Sequence, residues 1–392
     1  MAAGRGGRPP LVRARGDAEE MRGAVGDPRR VPPALAPVGA LLEEGIGRAY
    51  PGAVLAVLHR GERIIRWAVG DRSLTPTRQP AAPETIYDLA SLTKVVVTVP
   101  LILQAAAEGR LALDDAVAAH LPECGPSAVT LRHLLSHTAG LPAWIPFYLE
   151  AAGYDAVVAR AAARVSGAVP GGPAVYSDLG FILLGEVVRR TLGAPLDVLA
   201  RGRIFGPLGM IDTGYLPDRA LLERIAPTED GTAIEQGMAG EAGRRHTWRR
   251  RLIWGEVHDS NAYAMGGVSG HAGVFGTADD LIAYCRLWLD GGGGPNGRLL
   301  DAALVREATA DQTQGAGRGL GWALTGPQGW WGASLSPRAF GHTGFTGTSI
   351  VIDSQDDLAI VLLTNAIHPG RDRTEILALR PRIAAAVAAA LL

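Results

Sequence analysis

Two side chains three positions apart, Ser91 and Lys94, are the first candidates for chemistry in this chain of 392 residues. Lys94 is the only lysine: of 38 Lys and Arg residues the remaining 37 (38 − 1) are arginine. A chain that uses Arg at every other basic position and keeps one Lys needs something there that guanidinium cannot do. Arginine is in effect never deprotonated, whereas a desolvated lysine can become a neutral amine and act as a base. The apolar run 95–107 reads as a helix stopped by Gly109, and residues three apart on a helix share a face. The amine can then lie beside the Ser91 hydroxyl as the base of a nucleophile. The plainer reading makes Ser91 a helix cap and Lys94 a surface residue. Val95-Val96-Val97 speaks against it, because those residues mark the turn as buried.

Two further stretches complete a chemical set. Tyr176-Ser177-Asp178 follows a Gly/Pro breaker at 169–173, and His342-Thr343-Gly344 heads the late strands. A tyrosine phenol beside an ammonium has a lowered pKa, so Lys94 and Tyr176 can relay the Ser91 proton. Gly344 lets a strand backbone come close, so that an N–H joins that of Ser91 in holding an oxyanion. Other constellations are weaker. His133 and His137, four apart, could ligate a metal from one helix face, but no carboxylate or third His stands at a ligand spacing, so no metal and no cofactor is expected. Gly267-Val268-Ser269-Gly270-His271 has His271 where a nucleophile elbow needs glycine, and reads as a glycine-rich loop at the cleft edge.

The elements that must position these residues follow from the patterning. Residues 1–32, rich in Gly, Pro and Arg, read as a disordered tail. Helix is expected over 33–49, then strands over 52–58 and 63–69 joined at Arg60-Gly61-Glu62. A helix is expected over 130–136, helices dominate from about 153 to 208, including one over 179–192, and Gly292–Gly294 with Pro295 marks a return. Strands are expected over 348–353 and 358–364, with a last Ala-rich helix over 374–392. Strands at both ends around a helical middle predict an α+β fold of two lobes: a mixed lobe (about 33–90 and 290–392) and an inserted helical lobe (about 91–289). A net charge of −1 gives no reason to expect nucleic acid or an anionic membrane as partner. Two cysteines make no disulfide framework. No apolar run reaches membrane length and no secretory leader is visible, so a cytoplasmic protein, monomeric or weakly oligomeric, is expected.

These three motifs, in this order, resemble the serine β-lactamase and penicillin-binding-protein superfamily, in particular its class C, DD-peptidase and esterase-like branch. Leu134–Pro142, Gly255–Asp259 and Gly266–Gly273 are similar to stretches of the same branch. The resemblance implies the β-lactamase/transpeptidase-like fold, with an antiparallel sheet flanked by the terminal helices. It also implies an acyl-enzyme on Ser91, Lys94 and Tyr176 as acid/base groups, and substrate along His342, Thr343, Gly344 and Phe345, with the Phe345 N–H as second oxyanion donor. Two positions depart from the family pattern. Asp178 stands where Asn is usual and would hold Lys94 charged more strongly. His342 stands for Lys and is mostly uncharged at neutral pH. Both favour small esters, amides or D-Ala-D-Ala-like peptides over β-lactams as substrates. A weak β-lactamase and a silent ligand-binding protein of the same fold are the alternatives.

Overall fold

The computed structural model describes residues 32–392; the tail expected over 1–32 lies, but for its last residue, outside them. At its centre is a seven-stranded sheet. β1 (Gly52–His59) and β2 (Glu62–Ser73) form the expected hairpin, and β3 (Gln79–Pro80) extends it at one edge. The other half comes from the far end of the chain: β9 (Ala323–Leu324), β10 (Ala339–Thr343), β11 (Ser349–Asp353) and β12 (Leu358–Thr364). The order is β3-β2-β1-β12-β11-β10-β9, with every pairing antiparallel. A smaller sheet orders β4 (Tyr87–Asp88), β6 (Val274–Gly276) and β5 (Gly214–Tyr215) as β4-β6-β5. The glycines expected to mark a return form a short hairpin, β7 (Gly293–Gly294) with β8 (Gly297–Arg298).

β1 is buried throughout because both faces of the sheet are covered. Successive side chains on a strand point to opposite faces. Val54, Ala56 and Leu58 therefore enter one core, while Ala53, Leu55 and Val57 enter the other. The second core is closed by helices α1 (Ala36–Gly45) and α6 (Thr374–Leu391), which pack on each other. The first continues into the helical middle of the chain, where α5 (Ala278–Leu289) lies against β1, β11 and β12. A one-residue slip of β1 would exchange the two side-chain sets, so its register is set by both cores at once.

The first helix ends earlier than its apolar spacing suggests. It stops at Gly45, where a Cβ would come within 2.5 Å of the fully buried Tyr50 ring, so the returning chain closes over the helix end. The segment after Ser91 also differs from a plain α-helix. Lys94–Thr98 is a wider π-helical turn, and the α-helix, α2 (Val99–Ala107), begins only after it. Such turns are rare and tend to occur at functional sites.

Candidate active site

Ser91 sits at the end of a turn held from three sides. The residue before it, Ala90, takes a φ of 48°, a left-handed conformation that a side chain normally avoids, and the Asp88 carboxylate accepts its N–H at 2.8 Å. Leu89 donates its N–H to Val274 in β6. From the β10–β11 connection, the Thr346 and Thr348 hydroxyls donate to the carbonyls of Asp88 and Leu89, at 2.7 and 3.1 Å. Gly344 is part of this clamp: a Cβ there would meet the Leu89 carbonyl oxygen at 2.6 Å and Thr348 Oγ1 at 2.1 Å. The glycine is thus demanded by the approach of the strand to the nucleophile turn, and only through that by the substrate. Neither the Ser91 nor the Phe345 N–H has an acceptor among the described residues.

The Lys94 side chain is completely buried. Its amine donates to Ser91 Oγ at 2.9 Å, to Asp178 Oδ1 at 2.6 Å and to the His271 carbonyl at 3.2 Å. Three acceptors for three hydrogens describe an ammonium. Burial alone would lower its pKa, but the Asp178 charge, then Tyr176 and the hydrogen bonds to both, outweigh burial and raise it. The desolvation that could free Lys94 as a neutral base is therefore outweighed, in the direction expected of a carboxylate at position 178: Asp178 keeps the proton on Lys94 in the resting site. The expectation of a lowered phenol pKa at Tyr176 is corrected. Its pKa is raised, because burial outweighs the pull of Lys94 and of the hydrogen bonds to Lys94 and Ser91. At rest both groups hold their protons.

His137, weighed in the sequence only as a metal ligand and set aside as one, fixes the Tyr176 loop. It is buried, takes a φ of 60°, accepts the Ser177 N–H on Nδ1 at 3.0 Å and the Val175 N–H on its carbonyl at 2.9 Å, and packs at a tilt against the Tyr176 ring, the ring centres 4.6 Å apart. Burial holds its pKa well below the ordinary histidine value. His133 does a different job, capping its own helix at Thr130. Nothing in the spacing of the two histidines distinguishes these roles.

The loop carrying Ser269 and His271 is not at the cleft edge; it lies behind Lys94. Ser269 Oγ contacts His271 Nδ1 at 2.7 Å, and His271 Nε2 contacts Asp259 Oδ1 at 2.9 Å. The atom types are those of a catalytic triad, but Ser269 is 0% exposed and cannot meet a substrate. The array instead locks the ring whose backbone carbonyl accepts from Lys94. Burial would raise the Asp259 pKa, but the charge and hydrogen bond of His271 lead the effects that hold it well below the usual carboxylate range.

On the other side of Tyr176 a cavity of about 300 Å³ is lined by Tyr176, Arg318, Gln328, His342, Thr343 and Arg380. His342 is buried, with Nδ1 contacting the Thr343 carbonyl at 2.9 Å, and burial keeps its pKa well below the ordinary value. It is a neutral ring here. Positive charge comes from residues that the motif reading did not include. Arg318 donates to Gln328 at 2.8 Å, has no carboxylate partner among the described residues, and leaves Nε buried without an acceptor. Arg373 lies over the Phe345 ring at 3.7 Å, with the His258 ring 5.6 Å from that of Phe345. Arg380 donates to the carbonyls of Gly344, Gly347 and Thr348, bracing the turn that carries Phe345. Burial, then the charge of Arg373, pushes its pKa down to about 9. A larger cavity, about 480 Å³, lies under Leu216, Tyr263, Gly267 and Phe275 and contains none of the predicted site residues.

Residues 38–385 match the family model described as Beta-lactamase. A protein of Escherichia coli K12 with the provisional name D-alanyl-D-alanine carboxypeptidase is 32% identical over 359 residues, covering 83% of this chain and 81% of its own. The N-acetylmuramyl-L-alanine amidase of Bacillus subtilis strain 168 is 33% identical over 368 residues, covering 85% of this chain and 81% of its own. A penicillin-binding-protein homolog from Caulobacter crescentus has the same fold, with a TM-score of 0.72 at 24% identity over 92% of this chain and 98% of that one. No helix among the described residues is long and apolar enough to cross a membrane.

Proposed function

The chain belongs to the Beta-lactamase family and is a serine hydrolase, and we propose that it cleaves amides whose amine side carries a carboxylate, through an acyl-enzyme on Ser91. The observation that carries this reading is Arg318, which lines the cavity that Tyr176 faces and has no carboxylate partner among the described residues. A group that protonates a leaving amine must stand on the leaving-group side. A carboxylate on that amine then finds a guanidinium that is bound to Gln328 but has no carboxylate of its own among the described residues. The two named relatives fit this chemistry, since one is named for D-alanyl-D-alanine and the other for N-acetylmuramyl-L-alanine.

The proton path follows from the charge states. Ser91 Oγ forms the bond to the carbonyl carbon, and the Ser91 and Phe345 N–H groups receive the oxyanion. The Ser91 proton passes to Lys94 as Lys94 gives one to Tyr176 and Tyr176 gives its own to the departing nitrogen. The C–N bond breaks, the free amine leaves, and Lys94 and Tyr176 end as they began. Water then attacks the ester; its proton follows the same relay to Ser91 and releases the acid. Asp178 acts by keeping Lys94 charged between turnovers. Small esters fit the same path, with an alcohol in place of the amine. Cytoplasmic location and a monomeric or weakly oligomeric state belong to the same proposal, with a small soluble substrate and no nucleic-acid or membrane partner.

The test starts with fluorophosphonate labelling followed by intact-protein mass spectrometry. The wild-type chain should gain one adduct and the Ser91→Ala chain none. Then kcat/KM is measured for acyl-D-alanyl-D-alanine, an acyl-L-alanine amide, their carboxamide-blocked forms, a p-nitrophenyl ester and a chromogenic cephalosporin. Free-carboxylate amides should lead their blocked forms by tenfold or more, a preference that Arg318→Ala should erase. An unlabelled wild-type chain would leave the silent binding protein standing. Equal rates for free and blocked amides would remove Arg318 from substrate binding.

A further inference from the structure

One residue outside the three motifs touches the supports of both oxyanion donors. The backbone N–H of His258 donates to Asp88 Oδ2 at 2.8 Å, and Asp88 Oδ1 holds the N–H of Ala90, the residue before Ser91. The His258 ring lies nearly parallel to that of Phe345, with the planes 16° apart and the centres 5.6 Å apart. The Arg373 guanidinium stands 3.7 Å from the centre of the same phenylalanine ring. Arg249 fixes the His258 segment through its carbonyls, donating to that of Val257 at 2.8 Å and to that of His258 itself.

Glu229 sets the angle of the histidine ring. It is fully buried, and both of its carboxylate oxygens are used: Oε2 meets His258 Nε2 at 2.9 Å, and Oε1 accepts the Ile234 N–H at 2.8 Å. Burial would drive the proton off His258, but the hydrogen bond to Glu229 and the charges of Glu235, Glu229 and Asp88 outweigh burial and raise its pKa. Nε2 therefore donates to the carboxylate, and the ring cannot turn without breaking that bond. A buried pair of this kind adds little net stability, because desolvation cancels most of the attraction between its charges. What the pair provides is direction: a ring anchored at one edge by Glu229 presents its face to Phe345.

We propose that His258, oriented by Glu229, is a positioning residue that aims the oxyanion hole. The inference rests on the hydrolase reading above, in which the Ser91 and Phe345 N–H groups receive the oxyanion. Such donors stabilise the transition state only while they are preorganised on the place where charge develops. The Ser91 side is secured by backbone and carboxylate contacts that do not need a histidine side chain. On the Phe345 side, Arg380 braces the carbonyls of Gly344, Gly347 and Thr348, and the head of the turn is held through the Phe345 ring by His258 and Arg373. Without the His258 face the turn pivots about those braced carbonyls, and the Phe345 N–H leaves its line to the oxyanion.

The test uses the full-length chain and acylation of Ser91 by a p-nitrophenyl ester, followed in single turnover so that the saturating rate and the half-saturating concentration are read separately. His258→Gln removes the ring face, and Glu229→Gln removes the anchoring charge at nearly unchanged size. In His258→Gln the saturating rate should fall about 10- to 100-fold, with half-saturation within about twofold of wild type; deleting a whole oxyanion donor costs about 10²–10³-fold. The specific readout is the same ester with sulfur in place of the carbonyl oxygen. Sulfur accepts hydrogen bonds more weakly, so misaimed donors cost the oxygen ester more than the sulfur one. The oxygen-to-sulfur rate ratio should therefore fall about fivefold or more in His258→Gln, and move the same way in Glu229→Gln. The double variant should lose no more than His258→Gln alone, since Glu229 acts through the ring. Circular dichroism and the melting temperature show which variants fold, and Glu229→Gln carries the test if His258→Gln does not. A folded variant with an unchanged oxygen-to-sulfur ratio, or a loss confined to half-saturation, would overturn the positioning role. A larger loss in the double variant would overturn the part given to Glu229. Failure of the hydrolase reading shows elsewhere, as absence of the fluorophosphonate adduct on Ser91 in the wild-type chain.

Discussion

Replacing Asp178 with asparagine tests the account of the site most directly, because it removes one charge and keeps an acceptor of the same shape. In the native chain the buried Lys94 stays charged against the cost of burial chiefly because the Asp178 oxygen is 2.6 Å away. Without that charge, burial acts almost unopposed, and fully buried lysines fall by about 3–5 pKa units. The Ser91 and His271 acceptors and the Tyr176 contact remain, so a drop of about 2–4 units is expected. At 1.36 kcal/mol per unit this is about 3–5 kcal/mol, the range found when a buried ion pair loses one partner.

The sign distinguishes the two chains. In the wild type the raised Lys94 pKa gives a stabilisation that is full below the unfolded lysine value, about 10.4, and is lost only as pH rises through the higher folded value. It is therefore constant between pH 6 and 9. In Asp178→Asn the folded pKa is depressed, so the penalty is greatest below it and fades as pH rises toward the unfolded value. Urea unfolding of both chains at pH 6 and pH 9 should show a stability gap that narrows by about 2 kcal/mol at the higher pH. The midpoint of the pH–rate profile for fluorophosphonate labelling should move to lower pH by the same 2–4 units. A gap independent of pH, together with an unmoved labelling midpoint, would refute the claim that Asp178 keeps the proton on Lys94.

Two other outcomes follow from the geometry. Tyr176→Phe keeps the ring stacked 4.6 Å from His137 and removes only the phenol oxygen. It should lower turnover by about 10²–10⁴-fold, with unfolding free energy within about 1 kcal/mol of wild type; a smaller rate loss would assign the tyrosine to packing. Asp280 accepts from the Asp212 N–H and the Thr213 hydroxyl, yet burial pushes its carboxyl up to about 6. A raised pKa means stability present below the unfolded value, about 3.9, and lost as pH rises through 6. The wild type should therefore lose about 2–3 kcal/mol between pH 4 and 7 relative to Asp280→Asn, read from urea midpoints at each pH. Parallel pH curves would contradict it.

Much of the chain was legible without coordinates where the information is local. The lone lysine, its spacing from Ser91, the Gly/Pro breaker before Tyr176 and the apolar strand runs at both ends are properties of neighbouring residues. A two-lobe α+β chain and three candidate site motifs could be read from them. Both strands around Arg60 and the final strands fall where their apolar runs place them, because burial on two faces leaves β1 and β12 almost no polar positions.

Charge states and supporting residues could not be read that way. A carboxylate at 178 was expected to favour the charged lysine, but that it outweighs complete burial follows only once the fold brings Asp178, 84 residues away in sequence, within 2.6 Å. Tyr176 was expected to titrate low beside that ammonium, yet its pKa depends on how much water the assembled site excludes, and exclusion wins. Arg318 and Arg373 lie in no motif, and His137, Asp259 and His271 fall in stretches similar to the family without their roles being visible there, since each acts through contacts between segments. Local spacing dictates which residues can meet within a turn. Burial and the balance of desolvation against Coulomb attraction arise only when the whole chain has closed, and they decide which protons stay.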